Sequence, residues 1–171
     1  MKTLKQHIYE KLKVSKNPYT LFPKTTEELK HMIEDEISKN GYECSLNHID
    51  VSKITDMSGL FYKSKFNGDI SEWNVSSVTD MSYMFYNSKF NRDISNWDVS
   101  NVTNMKCIFY GAKFNGDISN WNVSNVENMY AMFLFSAFSG DISNWDVSNV
   151  KNMAYIFGST PLEKNPPKWY K

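Results

Sequence analysis

The sequence predicts an α/β repeat solenoid in which every 24-residue unit supplies one strand and one short helix, stacked into a parallel sheet behind an N-terminal helical cap. The evidence is three ladders of large apolar residues. A period of about 20–50 residues indicates units that bury their apolar sides against their neighbours. All five tryptophans, five of nine methionines and five of eleven phenylalanines recur every 24 residues: Trp73, Trp97, Trp121, Trp145, Trp169; Met57, Met81, Met105, Met129, Met153; Phe61, Phe85, Phe109, Phe133, Phe157.

Three zones follow one another along the chain. Residues 1–43 are predicted to form the helical cap, residues 44–160 the solenoid, and residues 161–171 a degenerate capping coil. In the last zone Pro166 and Pro167 replace the Ile-Ser pair of the regular unit. Proline cannot donate a hydrogen bond to a sheet, so this coil is expected to end it.

Two helices are predicted within the cap. The second begins at Thr25 or Thr26, either of which can accept a capping hydrogen bond, and ends before Gly41. The pair is expected to cover the first coil, as an atypical terminal unit does in other repeat proteins. The first helix is predicted from apolar residues at a spacing of four: Leu4, Ile8 and Leu12.

Two periods coexist within one repeat unit. Trp97 and Val99 alternate with polar residues, which predicts a strand with one apolar face. Met105, Ile108 and Phe109 follow the i, i+3, i+4 spacing of one or two helical turns. Each unit is therefore expected to be a strand, a loop and a short helix.

The repeat also has a recognisable pattern. The spacing of Ile94, Trp97, Val99 and Val102 resembles the L-x-x-L-x-L-x-x-N segment of leucine-rich repeats. Over residues 46–158 the recurring Asp-Ile-Ser-x-Trp-Asn/Asp-Val-Ser-x-Val-x-x-Met is similar to BspA-type leucine-rich-repeat proteins of bacteria and mycoplasmas. That resemblance implies leucine-rich-repeat-like coils and, because many members of the family are surface proteins, a role in adhesion.

Charge and composition narrow the range of partners. Nineteen basic and nineteen acidic residues give a net charge of zero, so binding to nucleic acid or to an anionic membrane is not expected. Membrane insertion is not expected either, because no stretch has the roughly 18 uninterrupted apolar residues of a membrane span. Two cysteines, Cys44 and Cys107, are too few for a disulfide framework. With no secretory signal, lipobox or apolar membrane span, a cytoplasmic location is expected, and association with a phage is an alternative.

The tryptophan ladder has two interpretations, a binding strip or a core. Trp97 and Val99 have the same strand parity, so a face that exposed the tryptophans would expose the valines as well. Exposed apolar ladders of that size are rare, and burial is therefore the preferred interpretation.

The opposite parity carries polar columns, which are the candidate binding residues. In a leucine-rich-repeat solenoid they would face the concave surface, where a protein or a glycan could dock. The alternative is that they only solvate the sheet or form hydrogen bonds along it. The candidate residues are Glu72, Asn74, Ser76, Asn96, Asp98, Ser100, Asn120, Asn122, Ser124, Asn144, Asp146 and Ser148.

A column of carboxylates suggests either calcium or local capping. Stacked carboxylates can hold a hard cation. The unit lacks the G-G-x-G-x-D loop of calcium-binding repeats, and an aspartate after a turn can cap backbone N–H groups, so no metal or cofactor is expected. The column consists of Asp69, Asp93, Asp117 and Asp141.

No catalytic signature accompanies these columns. His7, His31 and His48 show no metal-binding spacing, and neither a nucleophile motif nor a phosphate loop is present. The sequence therefore predicts a non-enzymatic binding scaffold for a protein or a glycan. The alternatives are a structural or assembly component of a bacteriophage or prophage particle and a cell-surface adhesin.

Overall fold

The computed structural model describes residues 18–170, in which similar coils lie one on another. Backbone hydrogen bonds join residues about one repeat apart, such as the Thr103 N–H and the Thr79 carbonyl, 2.9 Å apart. Single parallel bridges mark the same register in five successive coils, at Asp56, Asp80, Asn104, Asn128 and Asn152.

The predicted α/β architecture is wrong. Within residues 18–170 the helices are α1, Thr26–Asn40, and one 3₁₀ turn, Pro161–Glu163. In the same range the β pairing consists of isolated bridges, including Leu21 with Ile49, and no sheet forms. The repeat unit thus lacks both the strand and the short helix of a leucine-rich-repeat-like coil.

Each coil is instead a series of tight turns. In the coil from Ile94 to Ala112 four of them close between buried apolar residues three positions apart, and the second residue of each turn lies nearer the surface. The i, i+3 spacing that predicted a helix is also the spacing of the two ends of a β-turn. In each turn the N–H of the last residue donates to the carbonyl of the first. The turns run from Ile94 to Trp97, from Val99 to Val102, from Met105 to Ile108 and from Phe109 to Ala112.

Side chains take the N–H groups that a strand would need. Asp93 Oδ1 accepts a hydrogen bond from Ser95 N at 2.9 Å, and Asp98 Oδ1 accepts one from Ser100 N at 3.1 Å. Such local bonds compete with sheet pairing. The Trp-Val segment consequently alternates inward and outward as predicted, but it does so without pairing to its neighbours as a strand.

An axial ladder of hydrogen bonds connects the segments that begin at each ladder methionine. The N–H groups of Met81, Tyr83, Phe85 and Asn87 donate to carbonyls of the next coil at 2.7 to 2.9 Å. Between them, the N–H groups of Met84 and Tyr86 close turns within their own coil, and the Ser82 N–H donates to Asp80 Oδ1 at 2.7 Å. Because every second N–H points along the stack, the i to i−4 bonds of an α-helix cannot form here.

Two positions in each of these segments adopt a left-handed backbone. Tyr83 has φ 57° and Asn87 has φ 51°. Non-glycine residues adopt this conformation at a cost of about 1–2 kcal/mol each, so the ladder must hold them in place. The same two columns are left-handed throughout the array: Gly59, Lys63, Tyr83, Asn87, Cys107, Gly111, Ala131, Phe135, Tyr155 and Ser159.

The aromatic ladders form the core. Phenylalanines 61, 85, 109, 133 and 157 stack on one another with centroids 5.5 to 6.1 Å apart. Trp97 is 4% exposed, and its Nε1–H donates to the Ile70 carbonyl of the preceding coil at 3.2 Å. The preferred interpretation of the tryptophans as core residues is confirmed, and the indole also links adjacent coils.

Helix α1 packs on the first coil. Thr25 caps it through the Glu28 N–H, and Gly41 follows it, as the sequence predicts. Leu29 and Ile33 enter the common core, and Thr26 Oγ1 donates to the Asp56 carbonyl at 2.6 Å. The other predicted helix, in the Leu4, Ile8 and Leu12 segment, lies outside the described residues.

The degenerate last coil packs on the preceding coil through Trp169. Trp169 Nε1 donates to the Ile142 carbonyl at 2.8 Å, and its ring lies 5.7 Å from that of Phe157. The degenerate coil therefore retains the interaction made by the regular tryptophans. Within residues 18–170 no helix has the length and apolarity needed to cross a membrane.

Replacing Trp97 tests the contribution of this ladder to stability. We expect Trp97→Ala to lower the free energy of unfolding by about 3–5 kcal/mol, because it removes a buried ring. Trp97→Phe keeps an apolar ring but leaves the Ile70 carbonyl without its donor, a loss of about 1–3 kcal/mol. Urea denaturation measures both, with the exposed neighbour Asn96→Ala as the control. Equal stabilities for wild type and Trp97→Ala would contradict the assignment.

Candidate functional site

The predicted polar columns lie at the surface, and most of them are engaged in turns. Asn74 Oδ1 accepts bonds from the Ser76 N–H at 3.2 Å and the Ser76 hydroxyl at 2.7 Å. The pairs at positions 98 and 100, 122 and 124, and 146 and 148 repeat the backbone bond. Eight of the twelve candidates thus bond to each other, which favours the structural alternative for those eight.

The other four candidates are free to make contacts. They are exposed, and their side chains form no hydrogen bond with any residue from 18 to 170. Since no sheet exists, they do not line a concave sheet face; they occupy the third position of the turn that each tryptophan closes. These residues are Glu72, Asn96, Asn120 and Asn144.

The carboxylate column caps backbone groups. Asp69, Asp93, Asp117 and Asp141 each accept a hydrogen bond at 2.9 to 3.0 Å from the N–H two residues ahead. These bonds, first of all the one from the backbone N–H, hold the pKa of each carboxyl below its ordinary value. The predicted capping role is confirmed. Within the described chain no three acidic, histidine or cysteine side chains converge to hold a metal ion.

A surface that the sequence argument missed consists of stacked tyrosines. The rings of Tyr62 and Tyr86 lie 4.8 Å apart, and those of Tyr86 and Tyr110 lie 4.5 Å apart, each pair tilted by 11°. Phe135 adds an edge contact 5.6 Å from Tyr110. Tyr62 is 47% exposed and Phe135 57% exposed. We call these four residues the aromatic row.

A lysine and further aromatic residues adjoin the aromatic row. Tyr83 lies 5.8 Å from Tyr86, and Lys106 Nζ lies 5.5 Å from the Tyr83 centroid and 5.7 Å from that of Tyr130. The hydrogen bond with Tyr83 is the main cause of a raised pKa for Lys106. Tyr155, at 63% the most exposed of the large apolar residues described, packs edge-on against Tyr130.

Environment alters the chemistry of the central tyrosine. Desolvation beside its neighbours, reinforced by Tyr110 and Tyr62, raises the pKa of the Tyr86 hydroxyl. A tyrosine hydroxyl is protonated at neutral pH in any case, and the raised pKa keeps it protonated to a higher pH. The aromatic row thus offers hydroxyl donors as well as apolar area.

Comparison with known proteins places this arrangement in a family. A family model described as Mycoplasma protein of unknown function, DUF285, matches residues 27–134 and again residues 111–170. The chain belongs to the DUF285 family. No curated protein and no solved structure matches it.

The two thiols of this DUF285 protein do not resemble nucleophiles. Cys107 is 4% exposed, and burial raises its pKa, so the thiolate is disfavoured at neutral pH. Burial is also the main cause of a raised pKa at Cys44. Both are free cysteines, as the sequence predicts.

The DUF285 coils also leave a cleft at the C-terminal end of the stack. It has a volume of about 610 Å³ and lies between the last regular coil and the degenerate one. Asp141, Asn144, Leu162, Pro166 and Lys168 are among its lining residues. It brings one carboxylate and one ammonium group to the same cavity, without a histidine or cysteine.

The capping carboxylates predict how stability depends on pH. Hydrogen bonds from Ser100 and Ser148 lower the pKa of Asp98 and Asp146. A lowered folded-state pKa stabilises the protein above the unfolded value of about 3.9 and ceases to do so as the pH falls through the folded value. We expect Asp98→Asn/Asp146→Asn to lose less thermal stability than wild type between pH 7 and pH 3.

The chain provides a precedent and a control for this test. Asn74 and Asn122 already make the same turn with an amide, so asparagine fits the position. Asp35→Asn is the control, since that exposed side chain of α1 makes no hydrogen bond with residues 18–170. If all three proteins lost the same amount of thermal stability in acid, the contribution of the caps would be refuted.

Proposed function

We propose that this chain is a non-enzymatic binding scaffold that contacts a protein partner through the aromatic row. The observation that carries the proposal is a stack of tyrosines, exposed at Tyr62 and half-buried at Tyr86 and Tyr110, on a chain whose phenylalanine ladder is fully buried. Exposed aromatic residues, tyrosine above all, are enriched in the energetically important parts of interfaces. Stacking fixes the rings before a partner arrives, which reduces the entropy lost on binding.

Ring orientation favours a protein over a glycan. Sugars bind aromatic residues through the ring faces, and Tyr86 has one face against Tyr62 and the other against Tyr110. The row therefore offers a partner mainly ring edges and hydroxyl groups. A protein surface, with its carbonyl and carboxylate acceptors, complements those groups better than an uncharged sugar ring.

The polar columns are the competing surface within the same proposal. Their eight turn residues already have hydrogen-bond partners, and a ligand would have to replace these bonds. In the aromatic row a ligand would compete with one such bond, between Tyr86 and Tyr110. The similarity of the repeat to BspA-type surface proteins, many of which are adhesins, supports a binding role for either surface.

A structural or assembly role is the second candidate, and the open end of the axial ladder favours it. Met153, Tyr155 and Phe157 have backbone N–H groups with no acceptor among residues 18–170. At the other end, the Ser58 and Leu60 carbonyls accept no hydrogen bond from the described chain. The two edges are complementary, so copies could join end to end.

This candidate ranks second because helix α1 restricts access to the acceptor edge. Ile33 and Ile37 line a groove of about 340 Å³ with Leu60 and Tyr62, so α1 lies beside the acceptor edge. A second copy could reach those carbonyls only if α1 moved. End-to-end joining predicts a mean mass that rises with concentration in sedimentation experiments, and a constant monomer mass would eliminate this candidate.

Two matched sets of substitutions test the binding surface. We expect Tyr62→Ser/Tyr86→Ser/Tyr110→Ser to weaken binding by about 30-fold or more, because several interface aromatic residues are lost. Asn96→Ala/Asn120→Ala/Asn144→Ala changes exposed residues of the polar columns and should leave affinity within about threefold, as for near-neutral contacts.

The measurement uses the partner that the wild-type chain retains from its native cell. That partner is purified, and its dissociation constant is measured for wild type and for both sets. Thermal unfolding of each variant separates loss of binding from loss of fold. Loss of affinity in the asparagine set, with the tyrosine set unaffected, would assign binding to the polar columns and contradict the proposal.

A further inference from the structure

We propose that the aromatic row, together with an adjacent row of lysines, binds an acidic, extended segment of the partner protein. This inference rests on the proposed function and adds the chemistry of the partner. The lysine row consists of Lys65, Lys89 and Lys113, which recur every 24 residues three positions after the tyrosines.

Backbone bonds place these lysines in register on successive coils. The Lys89 N–H donates to the Ser64 carbonyl at 3.0 Å, and the Lys113 N–H donates to the Ser88 carbonyl at 3.2 Å. All three lysines are exposed. None of them forms an ion pair with a residue between 18 and 170.

The lysine row and the aromatic row are neighbours because a tight turn connects them. The Ser64 N–H donates to the Phe61 carbonyl at 3.0 Å, so Tyr62 and Lys63 form the outer part of the turn and Lys65 follows it. Lys63 Nζ lies 5.3 Å from the Tyr62 centroid. In each of these coils the exposed lysine therefore follows the tyrosine by three residues, directly after the turn.

Like charges stacked on adjacent coils repel one another. The tyrosine centroids of consecutive coils lie 4.5 to 4.8 Å apart, so the coils that carry the lysines are close to one another. The lysines have no acidic partners among residues 18–170, and exposed like charges on neighbouring coils repel one another slightly. A negatively charged partner removes this repulsion, so the arrangement favours binding of an acidic chain.

The lysines and tyrosines of the two rows present hydrogen-bond donors to a partner. The lysines are ammonium donors, the tyrosines are hydroxyl donors, and the outward edges of stacked rings have a partial positive charge. A partner must therefore be rich in acceptors. An extended peptide with glutamate or aspartate residues supplies carboxylates to the lysines and carbonyls to the hydroxyls.

The array limits the length and the position of that peptide. Four coils from Tyr62 to Phe135, at the stacking distance, span about 15 Å, which corresponds to about five extended residues. At the Tyr62 end, Lys30 and Glu34 of α1 line a groove with Tyr62, and their opposite charges offset each other. The lysine row is centred on Lys89, so the acidic segment is expected to centre on Tyr86 and Tyr110.

Peptide binding tests the inference directly. The probes are a fluorescein-labelled peptide of alternating glutamate and leucine residues and its glutamine counterpart, titrated with the full chain by fluorescence anisotropy. We expect the acidic peptide to bind about tenfold more tightly than the neutral one, the combined effect of three exposed ion pairs. Added salt should remove the difference, because these charges are exposed.

Substitutions then locate the site. Lys65→Gln/Lys89→Gln/Lys113→Gln should abolish the preference for the acidic peptide, and the tyrosine set should weaken both peptides. Lys39→Gln/Lys164→Gln/Lys168→Gln removes the same charge from exposed lysines elsewhere and should leave the preference unchanged. If the two lysine sets changed the preference equally, net charge alone would explain the preference, and the inference would be overturned.

Three other outcomes distinguish this inference from the proposed function. Equal binding of both peptides, lost in the tyrosine set, would overturn the acidic partner and leave the aromatic row in place. Binding of neither peptide would overturn the acidic segment, and the purified partner would then test the row by itself. Tighter binding of a sulfated polysaccharide fragment than of the acidic peptide would replace the protein segment with a glycan.

Discussion

The axial hydrogen bonds of the segment that begins at each ladder methionine, such as residues 81–88, are the constraint on which the rest of the coil depends. From Met81 to Asn87 every second N–H points to the next coil, and the intervening N–H groups close turns. That alternation excludes a helix. It also directs the residues at the ends of the turns, such as Met81, Met84 and Phe85, into the core. It also places Tyr86, the second residue of the turn from Phe85 to Ser88, nearer the surface. Burial of the phenylalanines and display of the tyrosines therefore have one cause.

The large features of the fold were predictable from apolar spacing, whereas the local conformation was not. Ladders of identical residues require stacked units, and the common parity of Trp97 and Val99 correctly turned the tryptophans inward. The i, i+3 spacing of Met105 and Ile108 suits a helical turn and a β-turn equally. Hydrogen bonds one coil away decide between them, and a single unit contains no trace of those bonds. Helix α1 was predictable because its caps are local.

The candidate site shows the same division. The polar columns were expected to be available for binding, but a serine two residues after each Asn or Asp is itself a turn signal, and Asn74 illustrates how it occupies the side chain. Tyr62, Tyr86 and Tyr110 were present as a ladder in the sequence. They directly follow the phenylalanine ladder and were not among the predicted site residues. Only the turn geometry separates the two ladders into an inner and an outer column.

The second left-handed column has a consequence for how such arrays differ from one another. Most columns repeat one residue type from coil to coil, but this column carries a cation, an amide, a glycine, an aromatic ring and a hydroxyl in turn. The backbone requirement is the same in every coil, so it does not explain this diversity. The array is most uniform in the columns that pack the core, and it varies in both left-handed columns. The first of these carries Gly59, Tyr83, Cys107, Ala131 and Tyr155. The order of residues in the second left-handed column then distinguishes this stack from another built on the same coil: Lys63, Asn87, Gly111, Phe135 and Ser159.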